Sequence, residues 1–285
     1  MKIKIVTDST SYLPQHLRDE YDISVVSLGV TIDTETYREE EIDNATFYTK
    51  MAQAKAIPTS SQPPPQEFYN VFEKLVLNGH AVVGIFLSGA MSGTVSTANL
   101  AKKMILERHP HAVIEILDSQ SNCMELGLPV LAAARVAKGG AGIDEVIKQA
   151  KFVMARSRFL FLPNTLAYLQ KGGRIGGAAA LLGSLLQIRP ILTVIDGKAD
   201  VFKKVRKRER ALQEMIDTFL SDVKQKGLGE AVIHHINCEA EALKLAQQLK
   251  EQVGTHLPVC PIGPVIGLHV GPGTIGIVYY TQAQN

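Results

Sequence analysis

The chain has 285 residues, of which 46% are apolar and 20% charged, with a formal net charge of +2. This is a globular composition, long enough for one large domain or two of ordinary size. Its near-neutral charge removes any bulk electrostatic case for nucleic acid and leaves at most a transient contact with a membrane surface.

Three cysteines, Cys123, Cys238 and Cys260, lie far apart. They match neither a disulfide framework nor a zinc spacing and suit a reducing compartment. The opening apolar run, Ile3 to Val6, is too short for a signal peptide, so a cytoplasmic location is expected. Ile3 to Val6 is predicted as a buried strand, followed at Asp8-Ser9-Thr10-Ser11 by a loop and a helix start near Pro14. Ser24 to Val30 is predicted as a second strand, Thr31 to Glu41 as a polar surface excursion, and Asn44 to Ala54 as a helix carrying Phe47 and Met51 on one face. In Ile57-Pro58-Thr59-Ser60-Ser61-Gln62-Pro63-Pro64-Pro65, three hydroxyls stand between prolines. Proline fixes its own backbone and restricts the residue before it, so a stiff extended loop is predicted. It feeds a helix with Phe68, Val71, Phe72 and Leu75 on its buried face.

A strand over Ala81 to Leu87 then runs through Ser88-Gly89-Ala90-Met91-Ser92-Gly93-Thr94 into a helix over Val95 to Leu106. The first turn of a helix has backbone N–H groups without partners and favours negative charge, so such a turn can hold an anion. Ser92 and Thr94 add hydroxyls, and the glycines let a ligand approach the backbone. The plainer alternative is an ordinary Ser/Thr cap. A strand over Val113 to Leu117 ends in Asp118-Ser119-Gln120-Ser121, and helices follow over Glu125 to Lys138 and Asp144 to Arg156. Strand alternates with helix throughout, which predicts an N-terminal α/β domain, residues 1–157, built on a doubly wound parallel sheet.

From Arg158 the texture changes. A short strand over Phe159 to Leu162 precedes a helix capped by Asn164 and ending at Lys171. Gly172-Gly173-Arg174-Ile175-Gly176-Gly177 is a flexible break around one arginine, and an apolar helix is predicted after it. The most apolar run, Ala178 to Leu186, is too short to span a bilayer. Asp196-Gly197 between Ile191–Ile195 and Val201–Val205 is a hairpin signal. Helix Glu209 to Gln225, strand Ala231 to Ile236, helix Glu239 to Glu251 and a last strand over Ile275 to Tyr280 complete the order, with His269 placed in an apolar strand before Gly271. This predicts a second α/β domain, residues 158–285, with a mixed or antiparallel sheet.

Several motifs have competing readings. Gly271-Pro272-Gly273-Thr274-Ile275-Gly276 fits the dinucleotide fingerprint in letters, but it lies at the chain end, contains proline and leads into a strand, so it is rejected. His234, His235 and Cys238 lack the second cluster that a metal site needs. Ser92, Asp118 and His269 follow the chain order of an α/β-hydrolase triad, but Ala90 stands where the nucleophile elbow needs its first glycine. A stand-alone hydrolase or transferase using Ser92 and His269 is the alternative function, and a regulatory protein sensing a small anion is a third. Arg206-Lys207-Arg208 is either a solvated helix start or a docking surface.

The set Asp8-Ser9, Pro58-Thr59-Ser60-Ser61-Gln62-Pro63, Leu87-Ser88 with Ser92-Gly93-Thr94, Asp118-Ser119, Gly172-Gly173-Arg174-Ile175 and His269-Val270-Gly271-Pro272-Gly273 resembles the DegV family over essentially the whole chain. The resemblance implies two α/β domains with a lipid between them. It implies a long-chain fatty acid ligand such as palmitate, stearate or oleate, no cofactor and no metal. It also implies a partner: a separate ATP-binding fatty acid kinase subunit, related to dihydroxyacetone kinases, that makes an acyl phosphate. Carried over, the carboxylate-binding residues are Thr59, Ser60, Ser61, Ser92, Gly93 and His269, and Arg174 and Arg206 face the kinase subunit. This chain departs from the family in having Gly89 after Ser88, Val95 after Gly93-Thr94, and Ser60 at the centre of the proline-flanked loop. A hydroxyl remains at each proposed contact.

Such a ligand asks for two environments. Hydroxyls and an imidazole bind a carboxylate without a bidentate clamp, which leaves one oxygen able to attack a phosphoryl group. The tail asks for apolar surface, for which Ala178, Leu181 and Leu182 are candidates. With no nucleotide motif of its own, the chain is expected not to catalyse alone.

Overall fold

The computed structural model describes residues 1–182 and 188–283. In chain order the first half forms β1 (Ile3–Asp8), α1 (Gln15–Tyr21), β2 (Ser24–Val26), β3 (Gly29–Ile32), β4 (Glu35–Arg38), α2 (Asn44–Gln53), β5 (Thr59–Ser61), α3 (Pro65–Leu77), β6 (Ala81–Phe86), α4 (Thr94–Arg108), β7 (Ile114–Asp118), α5 (Cys123–Lys138) and α6 (Ile143–Met154). The second half forms β8 (Ser157–Leu162), α7 (Ala167–Lys171), β9 (Ile188–Ile195), β10 (Lys198–Arg206), α8 (Arg208–Lys226), β11 (Leu228–His235), α9 (Glu239–Val253), β12 (Val259–Pro261), α10 (Pro264–Val270) and β13 (Ile275–Thr281).

A parallel sheet runs in the order β2-β1-β6-β7. All of β6 is buried, as suits a central strand covered by helices on both faces. A mixed sheet runs β10-β9-β8-β13-β11-β12, antiparallel throughout except for the β11–β12 pair. The fold is thus α/β with a parallel and a mixed sheet. α5 is buried on every side from Cys123 to Ala134 because it packs between the two, touching β1 and β6 on one hand and β8 and β13 on the other. The outer face of the parallel sheet is covered by Phe68, Phe72, Ala98 and Ile105 of α3 and α4, and that of the mixed sheet by Met215, Phe219, Leu245 and Leu249 of α8 and α9.

The strand expected over Ser24 to Val30 divides at Ser27-Leu28. There the Leu28 N–H turns to Ser9 Oγ and its carbonyl accepts from the Glu39 N–H. Beyond that point the chain joins a separate antiparallel sheet, β4-β3-β5. The polar excursion over Thr31 to Glu41 is therefore structured, and Glu39 in it is buried. The proline-flanked loop holds a strand, β5, with Ser60 opposite Val30. Its prolines stand outside the three paired residues, where no ladder donor is needed.

The hairpin β9–β10 turns on Asp196 (φ 49°) and Gly197 (φ 75°), two left-handed positions that match the right-handed twist of the strands. Asn164 is not the cap of α7. Leu166 precedes that helix without a side-chain cap, and the Asn164 carbonyl accepts from Arg189 instead at 2.7 Å. The apolar helix expected after Gly177 is a 3-10 turn, Gly176–Leu181, and residues 183–187 of that expectation lie outside the described residues.

His269 lies in the last turn of a helix, not in a strand. Pro264 at the first position suits a helix start, and Gly271 (φ 89°) ends it. Gly273-Thr274 then enters β13, so the fingerprint-like glycines open no helix. Among the described residues, no helix is long and apolar enough to cross a membrane.

Candidate functional site

Three distant stretches converge beside the buried faces of β8 and α10. Ser60 comes from β5, Ser92 and Gly93 from the turn between β6 and α4, and His269 from the last turn of α10. His269 Nε2 stands 2.9 Å from Ser60 Oγ. Ser92 Oγ stands 2.9 Å from Thr94 Oγ1. Gln62 ties β5 to the turn, since its Nε2 donates to Thr97 Oγ1 at 2.7 Å and its amide covers the Cα of Gly93. A Cβ at position 93 would overlap that amide, so a side chain there would displace Gln62.

The turn itself is pinned from behind. The Leu87 N–H donates to Asp8 at 2.7 Å, and Ser88 Oγ donates to the Gly197 carbonyl at 2.8 Å. Arg174 donates from Nε to the Met91 carbonyl at 3.3 Å and from Nη1 to the Gly172 carbonyl at 2.7 Å.

These groups border a cavity of about 320 Å³, at the lower end of the size range of small-molecule sites. Ser60, Ser61, Gln62, Ser92, Gly93, Arg174 and His269 line it. Most of the remaining wall is apolar, and includes Leu28, Leu87, Phe159, Phe161, Val194 and Ile266.

Of the sequence-derived candidates, Thr59 is exposed and lies outside the lining, as does Arg206, exposed at the end of β10. Ala178, Leu181 and Leu182 do not line the cavity either: the first two are buried in packing and Leu182 is 40% exposed. Phe159 and Phe161 take that place. Their signal was present as two aromatic residues two apart, on one face of a strand.

Burial, helped by the Arg174 charge, pushes His269 down to about 4, so the imidazole is neutral at pH 7. Its Nδ1 is buried with no hydrogen-bond partner among the described residues, and the ring lies against Gly172, where a Cβ would overlap Nδ1. The mouth therefore offers two hydroxyls and a neutral imidazole near one guanidinium. That set suits a single carboxylate bound by charge-assisted hydrogen bonds.

The hydrolase arrangement does not form. Asp118 accepts from the Gly89 N–H at 3.1 Å and the Gln120 N–H at 2.8 Å, while His269 pairs with Ser60 and Ser92 with Thr94. Asp8 and Ser9 also stand outside the cavity, Asp8 holding Leu87 and Ser9 bonding Glu39. His234 is a packing residue. Its Nε2 accepts from the Met124 N–H at 3.0 Å and its Nδ1 pairs with the Cys260 carbonyl at 2.8 Å. Among the described residues, no group of three or more His, Cys, Asp or Glu side chains is placed to hold a metal ion.

The family model described as "Uncharacterised protein, DegV family" matches residues 2–282. A DegV domain-containing protein of Clostridium acetobutylicum is 50% identical over 99% of both chains. The crystal structure of DegV from Bacillus subtilis, described as a fatty acid binding protein, is 34% identical, with a TM-score of 0.89 over 99% of each chain. A stearic acid-binding protein from Eubacterium ventriosum is 25% identical, with a TM-score of 0.91 over 98% of each.

Proposed function

Because the chain belongs to the DegV family, we propose that it binds a long-chain fatty acid such as palmitate, stearate or oleate in this cavity. The carboxylate accepts hydrogen bonds from Ser60, Ser92 and His269, with Ser61 and Gly93 beside them, and the tail lies along Phe159, Phe161 and Ile266. The observation that carries this reading is the 2.9 Å pairing of His269 with Ser60, at the edge of a cavity whose remaining wall is mostly apolar. Each methylene buried is worth about 0.8 kcal/mol, so a sixteen-carbon tail offers on the order of 10 kcal/mol before the costs of association. The tail dominates affinity and the polar groups fix orientation.

Neutral donors leave a carboxylate oxygen free to react. In the proposed reaction this oxygen attacks the γ-phosphorus of ATP held by a separate kinase subunit, the β–γ bond breaks, and acyl phosphate and ADP form. Arg174 and Arg206 are proposed to face that subunit, and the chain alone is proposed not to catalyse. A cytoplasmic location and a domain boundary between residues 157 and 158 belong to the same proposal.

Solvent extraction of the purified protein followed by mass spectrometry is expected to release a long-chain fatty acid in near-stoichiometric amount. Ser92→Ala and His269→Ala are expected to lower that content at least several-fold. Wild-type lipid content in both variants overturns the head-group assignment, and acyl phosphate formed from ATP without a second protein overturns the division of labour.

A further inference from the structure

α10 is seven residues long, and a helix this short is held by its surroundings rather than by its own hydrogen bonds. Its leading N–H groups have no partner within the helix. Pro264, at the first position, has no N–H to satisfy, and Gly263 before it supplies no side-chain cap. The next two are taken by side chains from the start of the chain. The Val265 N–H donates to Glu39 Oε1 at 2.8 Å, and the Ile266 N–H donates to Tyr12 Oη at 3.1 Å. Tyr12 in turn donates to the same Glu39 oxygen at 2.9 Å, and Ser9 Oγ donates to the other at 2.5 Å. The approach to the helix is held from α2, where Asn44 Nδ2 and Tyr48 Oη donate to the Ile262 carbonyl at 3.2 and 3.1 Å.

Glu39 is 5% exposed and lies outside the cavity lining, bordering instead a larger groove of about 850 Å³. It reaches the site by two routes: its carboxylate holds the start of α10, and its N–H and its bond to Ser9 hold Leu28 of the cavity wall. Of the head-group residues, only His269 lies on the helix it caps. His269 is four residues beyond Val265, one helical turn along the same side. At that end the ring is fixed between Ser60 and Gly172. Movement at the capped end is thus passed along one turn to the imidazole.

We infer that Glu39, with Tyr12 as its bridge, is a positioning residue for His269: it anchors the start of α10 and so sets where the imidazole stands in the head-group site. Its consequence for ligand binding rests on the carboxylate reading of that site. The anchoring itself is a property of the free protein.

The test uses the full-length, lipid-stripped chain. Glu39→Ala removes the acceptor for Val265. Glu39→Gln keeps an oxygen for Val265 and Tyr12 and offers its amide to Ser9. The readouts are the imidazole nitrogen resonances of His269, assigned by their loss in His269→Gln, and the affinity for palmitate. In Glu39→Ala the His269 resonances are expected to move, its titration midpoint to rise by at least one pH unit, and palmitate affinity to fall about tenfold. Glu39→Gln is expected to restore affinity to within twofold and return the resonances to their wild-type positions.

A Glu39→Ala protein with unchanged near-ultraviolet circular dichroism and wild-type His269 resonances overturns the inference. Equal displacement in Glu39→Gln also overturns it, because charge rather than the hydrogen bond would then be responsible. If Glu39→Ala does not fold, Tyr12→Phe decides the matter: it removes the acceptor for Ile266 and is expected to move His269 in the same direction by a smaller amount, and an unmoved His269 there is fatal. If His269 responds as expected but wild-type protein binds no palmitate, the anchoring stands and the fatty acid reading falls.

Discussion

At the residue scale the site depends on close approaches that leave no room for a side chain. Gly172 has ordinary helical backbone angles, so alanine is allowed there by conformation and excluded by the His269 ring. Gly172→Ala is expected to cost about 1–3 kcal/mol of stability, as overpacking does, and to reduce fatty acid content with it. Thermal melts alongside lipid extraction check both. Buried acids make a second prediction. Burial raises Glu39 to about 7, Glu125 to about 7 and Asp8 to about 6. The folded chain then holds more protons than the unfolded chain from roughly pH 4 to 7, so this contribution to stability is lost as pH rises through 7. His234 and His269, lowered to about 4 by burial, act the other way, losing stability as pH falls from about 6.5 towards 4. Above pH 6.5 the unfolded histidines are already at least half deprotonated, so the acids, two of which titrate near 7 in the folded chain, outweigh them. Denaturant midpoints are therefore expected to fall between pH 6.5 and 8, and to fall less in Glu39→Gln. The hydroxyl stretches around Ser60 and Ser92 are conspicuous in sequence beside proline and glycine, whereas their grouping with His269 follows only from the family resemblance. Glu39 is not conspicuous: it is one of three consecutive glutamates in a polar run, and only a helix more than 220 residues later makes it a buried cap.

At the element scale, local chemistry decided what could be read. The Asp196-Gly197 turn was legible because a two-residue hairpin needs left-handed angles that these residues supply. α5 and α8 were legible from long patterns. His269 stands in a helix and not in the expected strand because the short apolar run from Val265 to Val270 has no telling period, and only Gly263-Pro264 marks the helix start. The break after Val26 was invisible because it is made by contacts with Ser9 and Glu39, neither of them local. Gly197 also touches the other half of the molecule, where a Cβ would overlap Ser88 Oγ. Gly197→Ala therefore combines backbone strain with a clash, and is expected to lower the unfolding midpoint in urea by an amount equivalent to about 1–3 kcal/mol.

At the scale of the whole molecule, a parallel and a mixed sheet share α5, and the cavity takes its wall from strands of the mixed sheet, from β5 and α10, and from the turn that follows β6. Alternation followed by hairpins made that division legible, but the cavity's wall could not be assigned from sequence, because packing and lining residues are equally apolar. A ligand that binds only the folded chain stabilises it by about 2.7 kcal/mol at a hundredfold excess over Kd. For a chain of this length each kcal/mol moves Tm by about 2 °C. Stripping the lipid is thus expected to lower Tm by several degrees, palmitate to restore it in a concentration-dependent way, and Ser92→Ala to need more palmitate for the same rise. Differential scanning calorimetry across a palmitate titration decides it.

The pairing of Ser60 with His269 spans 209 positions of the chain. During synthesis the serine leaves the ribosome long before its histidine has been translated. An incomplete nascent chain therefore lacks this pair, and on the proposed reading capture of lipid waits for α10 to emerge and dock.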